Sequence, residues 1–269
     1  MTPHHLVPPS PHHQSQQLGL ALSGGGARGI AHLGVLAALD ELQLPVGQLA
    51  GVSSGAIAAS FYAAGFAPRA ILKLLLATNL ARLTRPALSR FGLLRMDAVE
   101  LLLASHLGTD VTFADLRLPL TLVATDLIGG ESVYFREGPL LPPLLASSAV
   151  PILYRAIEYQ GRQLVDGGLL NNLPVEPLLG QPGLRVVGVH CNPINHEAHI
   201  PSFRRLIERT LHLAINGNTA ARKGQCDLLL EPPELRYYAP LSYQRGPELF
   251  EIGYRYTLEK ADELQALLQ

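Results

Sequence analysis

A serine placed to act as a nucleophile lies in the segment Gly51-Val52-Ser53-Ser54-Gly55, which fits the pattern G-x-S-x-G. The pattern suits a nucleophile because small residues two positions away on either side let a strand and a helix pass closely at a sharp turn. Glycine and serine are also common in ordinary turns, so the pattern alone does not establish catalysis. Its position between an apolar strand and a long apolar helix favours the catalytic interpretation. Ser54 occupies the variable position, so we predict Ser53 as the nucleophile, with Gly51 and Gly55 flanking it in the elbow.

A serine nucleophile needs a group that accepts its proton. Asp166 comes directly after the apolar Leu164-Val165 and precedes Gly167-Gly168, two residues that allow a tight turn beside the carboxylate. An ordinary Asp-Gly-Gly turn is the competing interpretation. His190 ends another predicted strand and is the histidine best placed to complete a Ser-Asp-His triad. From these residues alone, a Ser53–Asp166 pair and a triad with His190 both remain open.

A glycine-rich loop separates an apolar strand from the helix that begins at Ile30. Gly24, Gly25 and Gly26 let the backbone approach a ligand closely. The N–H groups at the start of the helix stabilise negative charge. That charge is either a bound phosphate or an oxyanion that forms only during a reaction.

The same loop fits G-x-G-x-x-G through Gly24, Gly26 and Gly29, which is the pattern of a dinucleotide-binding protein. Such a protein also needs an acidic residue about 20 positions further on, at the end of the next strand. The sequence has the serine turn of residues 51–55 at that place. A phosphate loop of the G-x-x-x-x-G-K type is excluded because no lysine follows. The glycine pattern keeps a dinucleotide site as an alternative to a hydrolase, although the acidic residue that such a site needs is missing.

Predicted strands alternate with predicted helices along the chain. The strands are expected at residues 20–22, 49–52, 120–125, 132–135, 156–159, 163–165, 185–191 and 227–230. The helices are expected at residues 30–42, 53–64, 68–83, 97–106, 139–148, 174–179, 202–216 and 247–268. This alternation predicts a three-layer α/β/α fold with a central, mainly parallel sheet. The glycine loop, Ser53 and Asp166 all follow strands, so we expect them to share one site at the carboxyl ends of the strands.

Composition excludes several other classes of protein. The net charge of -1, from 21 basic and 22 acidic residues, gives no electrostatic footprint for nucleic acid. Cys191 and Cys226 form neither a disulfide framework nor a zinc-binding spacing, so we expect buried thiols in a reducing compartment such as the cytoplasm. The apolar run 56–67 is shorter than the roughly 20 residues of a membrane span. Residues 1–17 lack the features of a signal peptide and are expected to be a disordered tail ahead of a single domain at 18–269.

Three motifs, in the same order, resemble those of the patatin-like phospholipases: Gly24–Gly29, Gly51–Gly55 and Asp166-Gly167-Gly168. The segments Ser147–Pro151 and Asn171–Val175 are also similar to segments of that family. The resemblance covers about residues 18–177 and is strongest to the short bacterial members with a single domain. It is specific because several separate motifs agree.

The resemblance implies a patatin-like fold and a lipid acyl hydrolase of the phospholipase A or lysophospholipase type. It implies a Ser53–Asp166 dyad with no catalytic histidine, in which Ser53 attacks the ester carbonyl and Asp166 takes its proton and later activates water. The N–H groups of Gly25 and Gly26 would form the oxyanion hole, with Gly24 and Arg28 shaping it.

The remaining residues and segments have the following interpretations. Arg28 either anchors the loop or attracts an anionic head group, and Asp126 is interpreted as structural. No metal or cofactor is required. The expected partner is a lipid or other ester substrate, and peripheral contact with membranes is compatible with such a substrate. Residues 68–83 are interpreted as a core helix, with an apolar flap at the mouth of the site as the alternative.

Overall fold

A computed structural model describes residues 16–78, 85–86, 94–197 and 199–269. The predicted tail lies outside these residues except for its last two, and so do residues 79–83 of the segment 68–83 that was considered as a flap. Gln17, assigned to the tail from the sequence, is the first residue of a strand, because its N–H donates to the carbonyl of Gly183 at 2.9 Å.

An eight-stranded sheet forms the centre of the described structure. Its strands are β1 (Gln17–Leu22), β2 (Val46–Gly51), β5 (Leu120–Asp126), β6 (Glu131–Phe135), β7 (Ile157–Tyr159), β8 (Arg162–Asp166), β9 (Leu184–Val189) and β10 (Leu228–Leu230). Two further short strands, β3 (Arg85–Pro86) and β4 (Leu94–Arg95), pair with each other. The main sheet runs β10-β9-β1-β2-β5-β8-β7, with β6 also paired to β5. Pairing is parallel from β10 through β5 and antiparallel beyond it, which gives a mixed, mainly parallel sheet.

Helices flank this sheet. They are α1 (Ile30–Glu41), α2 (Ser54–Ala63), α3 (Pro68–Ala77), α4 (Asp97–Leu107), α5 (Leu141–Ser148), α6 (Phe203–Lys223), α7 (Gly246–Glu259) and α8 (Ala261–Ala266). None of the helices in these described ranges is both long and apolar enough to cross a bilayer. Leu20 and Leu22 of β1 pack into a large apolar cluster, whereas Ala21 packs into a second cluster with Leu173 and Val186. Because neighbouring strand residues point to opposite faces, both faces of the sheet are covered, as predicted.

The register on β5 brings two distant strand ends together. Gly51, the last residue of β2, pairs with Leu122, and Asp166, the last residue of β8, pairs with Ala124 two residues further along β5. Both β2 and β8 therefore end at the middle of β5. The chain segments that leave these two strands begin side by side.

Several sequence predictions about helices need correction. The predicted helix 174–179 is a series of turns, because Pro177 has no N–H to donate to the carbonyl of Leu173, which accepts from Val175 instead. The predicted helix 247–268 breaks at Lys260, whose N–H bonds only three residues back to Thr257. The helix predicted at 68–83 begins at Pro68, as α3, and α3 ends at Ala77. Its buried residues are Pro68 and Ile71.

Two local details refine these predictions. The turn between the strands predicted at 156–159 and 163–165 lies at Gln160-Gly161, because both residues have positive φ (50° and 72°), the geometry that a two-residue turn needs. Cys191 is buried as expected, whereas Cys226 is only partly buried, and both thiols are free.

Candidate active site

Ser53 lies in a sharp turn between β2 and α2. Its backbone has φ 55° and ψ −125°, a left-handed φ that side chains rarely adopt and that is typically retained at functional sites. A Cβ on Gly51 would lie 2.8 Å from the carbonyl oxygen of Gly55, and one on Gly55 would overlap the carbonyl of Leu22. Only glycine fits at these two positions without a shift of the backbone. The Ser53 N–H donates to the hydroxyl of Ser147, at the end of α5, at 3.0 Å.

Asp166 lies next to Ser53, as the register on β5 requires. Its side chain is 6% exposed, and Oδ1 accepts from the N–H of Gly168 at 2.8 Å. Burial raises the pKa of Asp166 from its ordinary value of 3.8 to about 6, and a side-chain hydrogen bond from Ser53 partly offsets that rise. Gly167 backs directly onto the Val123 carbonyl, so a side chain there would push the turn off the sheet. The structure therefore brings the two predicted side chains together.

The glycine loop packs against the serine turn. A Cβ on Gly24 would lie 3.2 Å from the Cβ of Ser53, and the Gly24 N–H donates to Oδ1 of Asn172 at 3.1 Å. Gly26 has φ 60°, and a side chain there would overlap the carbonyl of Pro240. Within the described ranges, the N–H groups of Gly25 and Gly26 have no hydrogen-bond acceptor. Two free donors therefore remain in this loop.

Arg28 points into the protein. It is 5% exposed, and its Nε donates to the carbonyl of Tyr238 at 2.7 Å while Nη1 donates to Oδ1 of Asn192. Burial lowers its pKa to about 10, so the guanidinium stays charged at neutral pH. These contacts fasten the glycine loop to two later parts of the chain. They favour the anchoring role over recognition of a head group.

Two buried histidines, His190 and His32, form hydrogen bonds with groups outside the proposed Ser53–Asp166 pair, and Nε2 of His190 has no partner among the described residues. His190 is fully buried, and its Nδ1 pairs with Oε1 of Glu231 at 2.8 Å. His32 binds the Ser23 carbonyl through Nε2 at 2.7 Å, and burial lowers its pKa to about 4. In the parts of the chain that the structure covers, no histidine hydrogen-bonds Ser53 or Asp166. The alternative of a triad through His190 gains no support from these contacts.

Asp126 stabilises a turn next to the site. Its Oδ1 accepts from the N–H groups of Ile128 and Gly129 at 3.0 and 3.2 Å, and its Oδ2 pairs with Arg162 at 3.0 Å. These bonds account for both carboxylate oxygens. They agree with the structural role expected from the sequence.

Two polar residues at the site had no role assigned from the sequence. Ser147 binds the backbone of Ser53, and Asn172 binds the backbone of Gly24. Both lie in the segments 147–151 and 171–175 that were noted for their resemblance to a known family. The similarity of these segments was the one available signal, since their contacts join residues far apart in sequence. No group of three or more His, Cys, Asp or Glu side chains able to hold a metal ion is found among the described residues.

Some known proteins are similar to this chain in sequence, and others are similar to it in fold. An uncharacterized NTE family protein of Mycobacterium tuberculosis is 39% identical over 182 residues, which cover 66% of this chain and 50% of that protein. Lysophospholipase NTE1 of Meyerozyma guilliermondii is 23% identical over 287 residues, covering 93% of this chain and 19% of that protein. The crystal structure of VipD from Legionella pneumophila has the same fold, with a TM-score of 0.58 at 16% identity, covering 92% of this chain and 67% of that chain.

The chain spans about half the length of the curated mycobacterial relatives that it matches at 39% identity. A sequence profile described as patatin-like phospholipase matches residues 20–179, more than half of the chain. The glycine loop, the serine turn and the Asp-Gly-Gly turn all lie inside the matched residues. The chain therefore belongs to the patatin-like phospholipase family.

Proposed function

We propose that this protein is a serine acyl hydrolase that cleaves carboxylic esters of lipids, with Ser53 as the nucleophile and Asp166 as the general base. The observation that carries the proposal is the pairing of a serine held at φ 55° with a buried carboxylate. The strained turn presents the hydroxyl, and the carboxylate stands ready to accept its proton.

The reaction follows in two steps. Ser53 Oγ attacks the ester carbonyl while its proton passes to Asp166, and the C–O bond of the ester then breaks as the leaving alcohol takes that proton. An acyl group is now bound to Ser53. Water attacks this acyl-enzyme while Asp166 removes a proton from the water, and the fatty acid leaves as Ser53 is protonated again.

The glycine loop supplies the oxyanion hole in this proposal. The N–H groups of Gly25 and Gly26 have no acceptor in the described structure, and they belong to the loop that packs on Ser53. A donor of this kind stabilises the transition state by about 3 kcal/mol. Gly24 and Arg28 hold the loop in place rather than contact the substrate.

A lipid is the substrate that best fits the family and the surface. One relative carries the name lysophospholipase. Ile152 is 60% exposed and follows Ala149, whose carbonyl accepts from the Asp166 N–H. Leu241, 53% exposed, adjoins Pro240, which packs on Gly26. These two exposed apolar side chains, in segments that contact the site, are compatible with peripheral contact with a lipid surface. The two free thiols support a cytoplasmic location.

Covalent labelling with a fluorophosphonate ester tests the proposal. Wild type should be labelled, and Ser53→Ala should not be. Ser54→Ala is the matched control, because the Ser54 hydroxyl is buried without a partner and its removal breaks no hydrogen bond. Asp166→Asn should slow both labelling and ester hydrolysis by about 10³-fold or more. An unlabelled wild type, or equal labelling of Ser53→Ala, would contradict the proposal.

A further inference from the structure

Asn172 lies between the two loops that form the site. Its Oδ1 accepts from the N–H of Gly24 at 3.1 Å. The same oxygen lies 2.7 Å from the position of a Cβ on Gly168, and Oδ1 of Asp166 lies 3.0 Å from that position. A single side-chain oxygen therefore faces the glycine loop on one side and the Asp166 turn on the other.

The backbone of Asn172 is itself held by α6. The Asn172 N–H donates to Oδ1 of Asn218 at 3.3 Å, and Nδ2 of Asn218 donates to the carbonyl of Leu169 at 3.0 Å. A weaker bond runs from the same nitrogen to the carbonyl of Gly168 at 3.4 Å. The helix thus holds the Asp166 turn and Asn172 together through Asn218. Asn172 in turn holds the glycine loop through its bond to the Gly24 N–H.

The amide nitrogen of Asn172 has no partner. The residue is 3% exposed, and Nδ2 is a buried donor without an acceptor in the described structure. An unsatisfied buried donor destabilises a folded protein. An amide at this place therefore serves something other than stability alone.

We propose that Asn172 is a positioning residue that holds the oxyanion donors of the glycine loop at a fixed distance from Ser53 and Asp166. This inference rests on the proposed hydrolase function. Asn172 has no direct part in the chemistry in this proposal. It acts through Gly24, whose neighbours Gly25 and Gly26 carry the free N–H groups.

Three variants test the role of Asn172 in hydrolysis of a soluble ester. Asn172→Ala removes the acceptor for Gly24. Asn172→Asp keeps an acceptor oxygen there and adds a negative charge near Asp166. Asn171→Ala is the matched control, because the Asn171 side chain bonds Tyr134, Glu176 and Leu173 but neither loop of the site.

Misplaced oxyanion donors reduce catalysis more than ground-state binding, so Asn172→Ala should lower kcat by roughly 10- to 100-fold and change KM by less than about threefold. Asn171→Ala should keep kcat within about twofold of wild type, even where its melting temperature falls. Asn172→Asp should recover most of kcat at high pH. Its acid limb should move up by about half a pH unit or more, because a like charge beside Asp166 disfavours ionisation of that carboxyl. This shift reports only the added charge; the readout that a purely structural role would not produce is the fall in kcat of Asn172→Ala at nearly unchanged KM.

Hydrogen exchange of the Gly24 amide gives a readout that is independent of activity. Asn172→Ala should lose protection at Gly24, whereas Asn172→Asp and Asn171→Ala should retain it. Two results would overturn the inference: a kcat for Asn172→Ala within about threefold of wild type, or unchanged protection of Gly24 in that variant. If wild type neither hydrolyses esters nor reacts with the fluorophosphonate, the proposed function fails, and the exchange measurement alone decides whether Asn172 links the loops.

Discussion

In the proposed reaction, the burial of Asp166 sets the pH at which ester hydrolysis becomes slow. A general base works only when it is ionised, and burial raises the pKa of this carboxyl from 3.8 to about 6. The rate should therefore be half-maximal near pH 6 and should fall about tenfold for each further unit of acidity. At pH 5 only about a tenth of the molecules would carry the ionised base, whereas an ordinary aspartate would be almost fully ionised there.

The measurement is a profile of kcat/KM from pH 4.5 to 8 with a short-chain, uncharged ester, so that the substrate itself does not titrate. Circular dichroism at each pH shows whether the protein stays folded. A rate at pH 5 equal to that at pH 7, in folded protein, would refute the reasoning. Such a result would mean that Asp166 is either not the base or not desolvated.

The same pKa predicts a change in stability of known sign. Between pH 3.8 and about 6 the folded protein holds a proton on Asp166 that the unfolded chain has lost, so the free energy of unfolding falls as pH rises through this window. A shift of this size corresponds to about 3 kcal/mol. Asp166→Asn keeps an acceptor for the Gly168 N–H and removes the titration. It should be more stable than wild type at pH 7 in urea, with the difference vanishing below pH 4.

Three further predictions concern neighbouring residues. His190→Gln should keep kcat within about threefold, because its ring is not bonded to the dyad, and near-complete loss of turnover would restore the triad. Gly26→Ala should lower the free energy of unfolding by about 1–3 kcal/mol in urea titrations and reduce kcat, since φ 60° and the Pro240 carbonyl leave no room for a side chain; an unchanged midpoint would contradict the packing described. Ser147→Ala removes the acceptor for the Ser53 N–H and should destabilise the protein by about 1 kcal/mol and slow fluorophosphonate labelling; labelling at the wild-type rate would show that the turn holds its shape without this bond.

The features that follow from local sequence were predictable. The apolar run ahead of Gly24 and the glycines around Ser53 mark a strand, a tight turn and a helix, because each motif restricts the backbone within a few residues. The start of α6 is likewise a local feature, because Ser202 caps the helix by accepting from the N–H of Arg205. The prediction that Ser53 and Asp166 lie close together rested on both following strands of one sheet. Because β8 runs antiparallel to β5, the two residues meet for a different reason, which is that β2 and β8 both end at the middle of β5.

The features that depend on distant contacts were not predictable. Asn172 meets Gly24 across 148 residues, and nothing in the spacing of either residue indicates that contact. The anchoring of Arg28 likewise requires Tyr238, far along the chain. The wrong helix prediction at 174–179 has a local cause instead. The apolar pattern favours a helix there, but Pro177 has no N–H to donate within it.

Because β2 and β8 both pair with β5, the proposed site becomes complete only late in the synthesis of the chain. The ribosome releases β2, which leads to the proposed nucleophile Ser53, first, then β5, and then β8, which ends in the proposed base Asp166. A nascent chain that ends before β8 has a serine in its turn but no proton acceptor beside it. In our proposal, the ability to attack lipid therefore arises only after the middle of the chain has emerged and β8 has docked on β5.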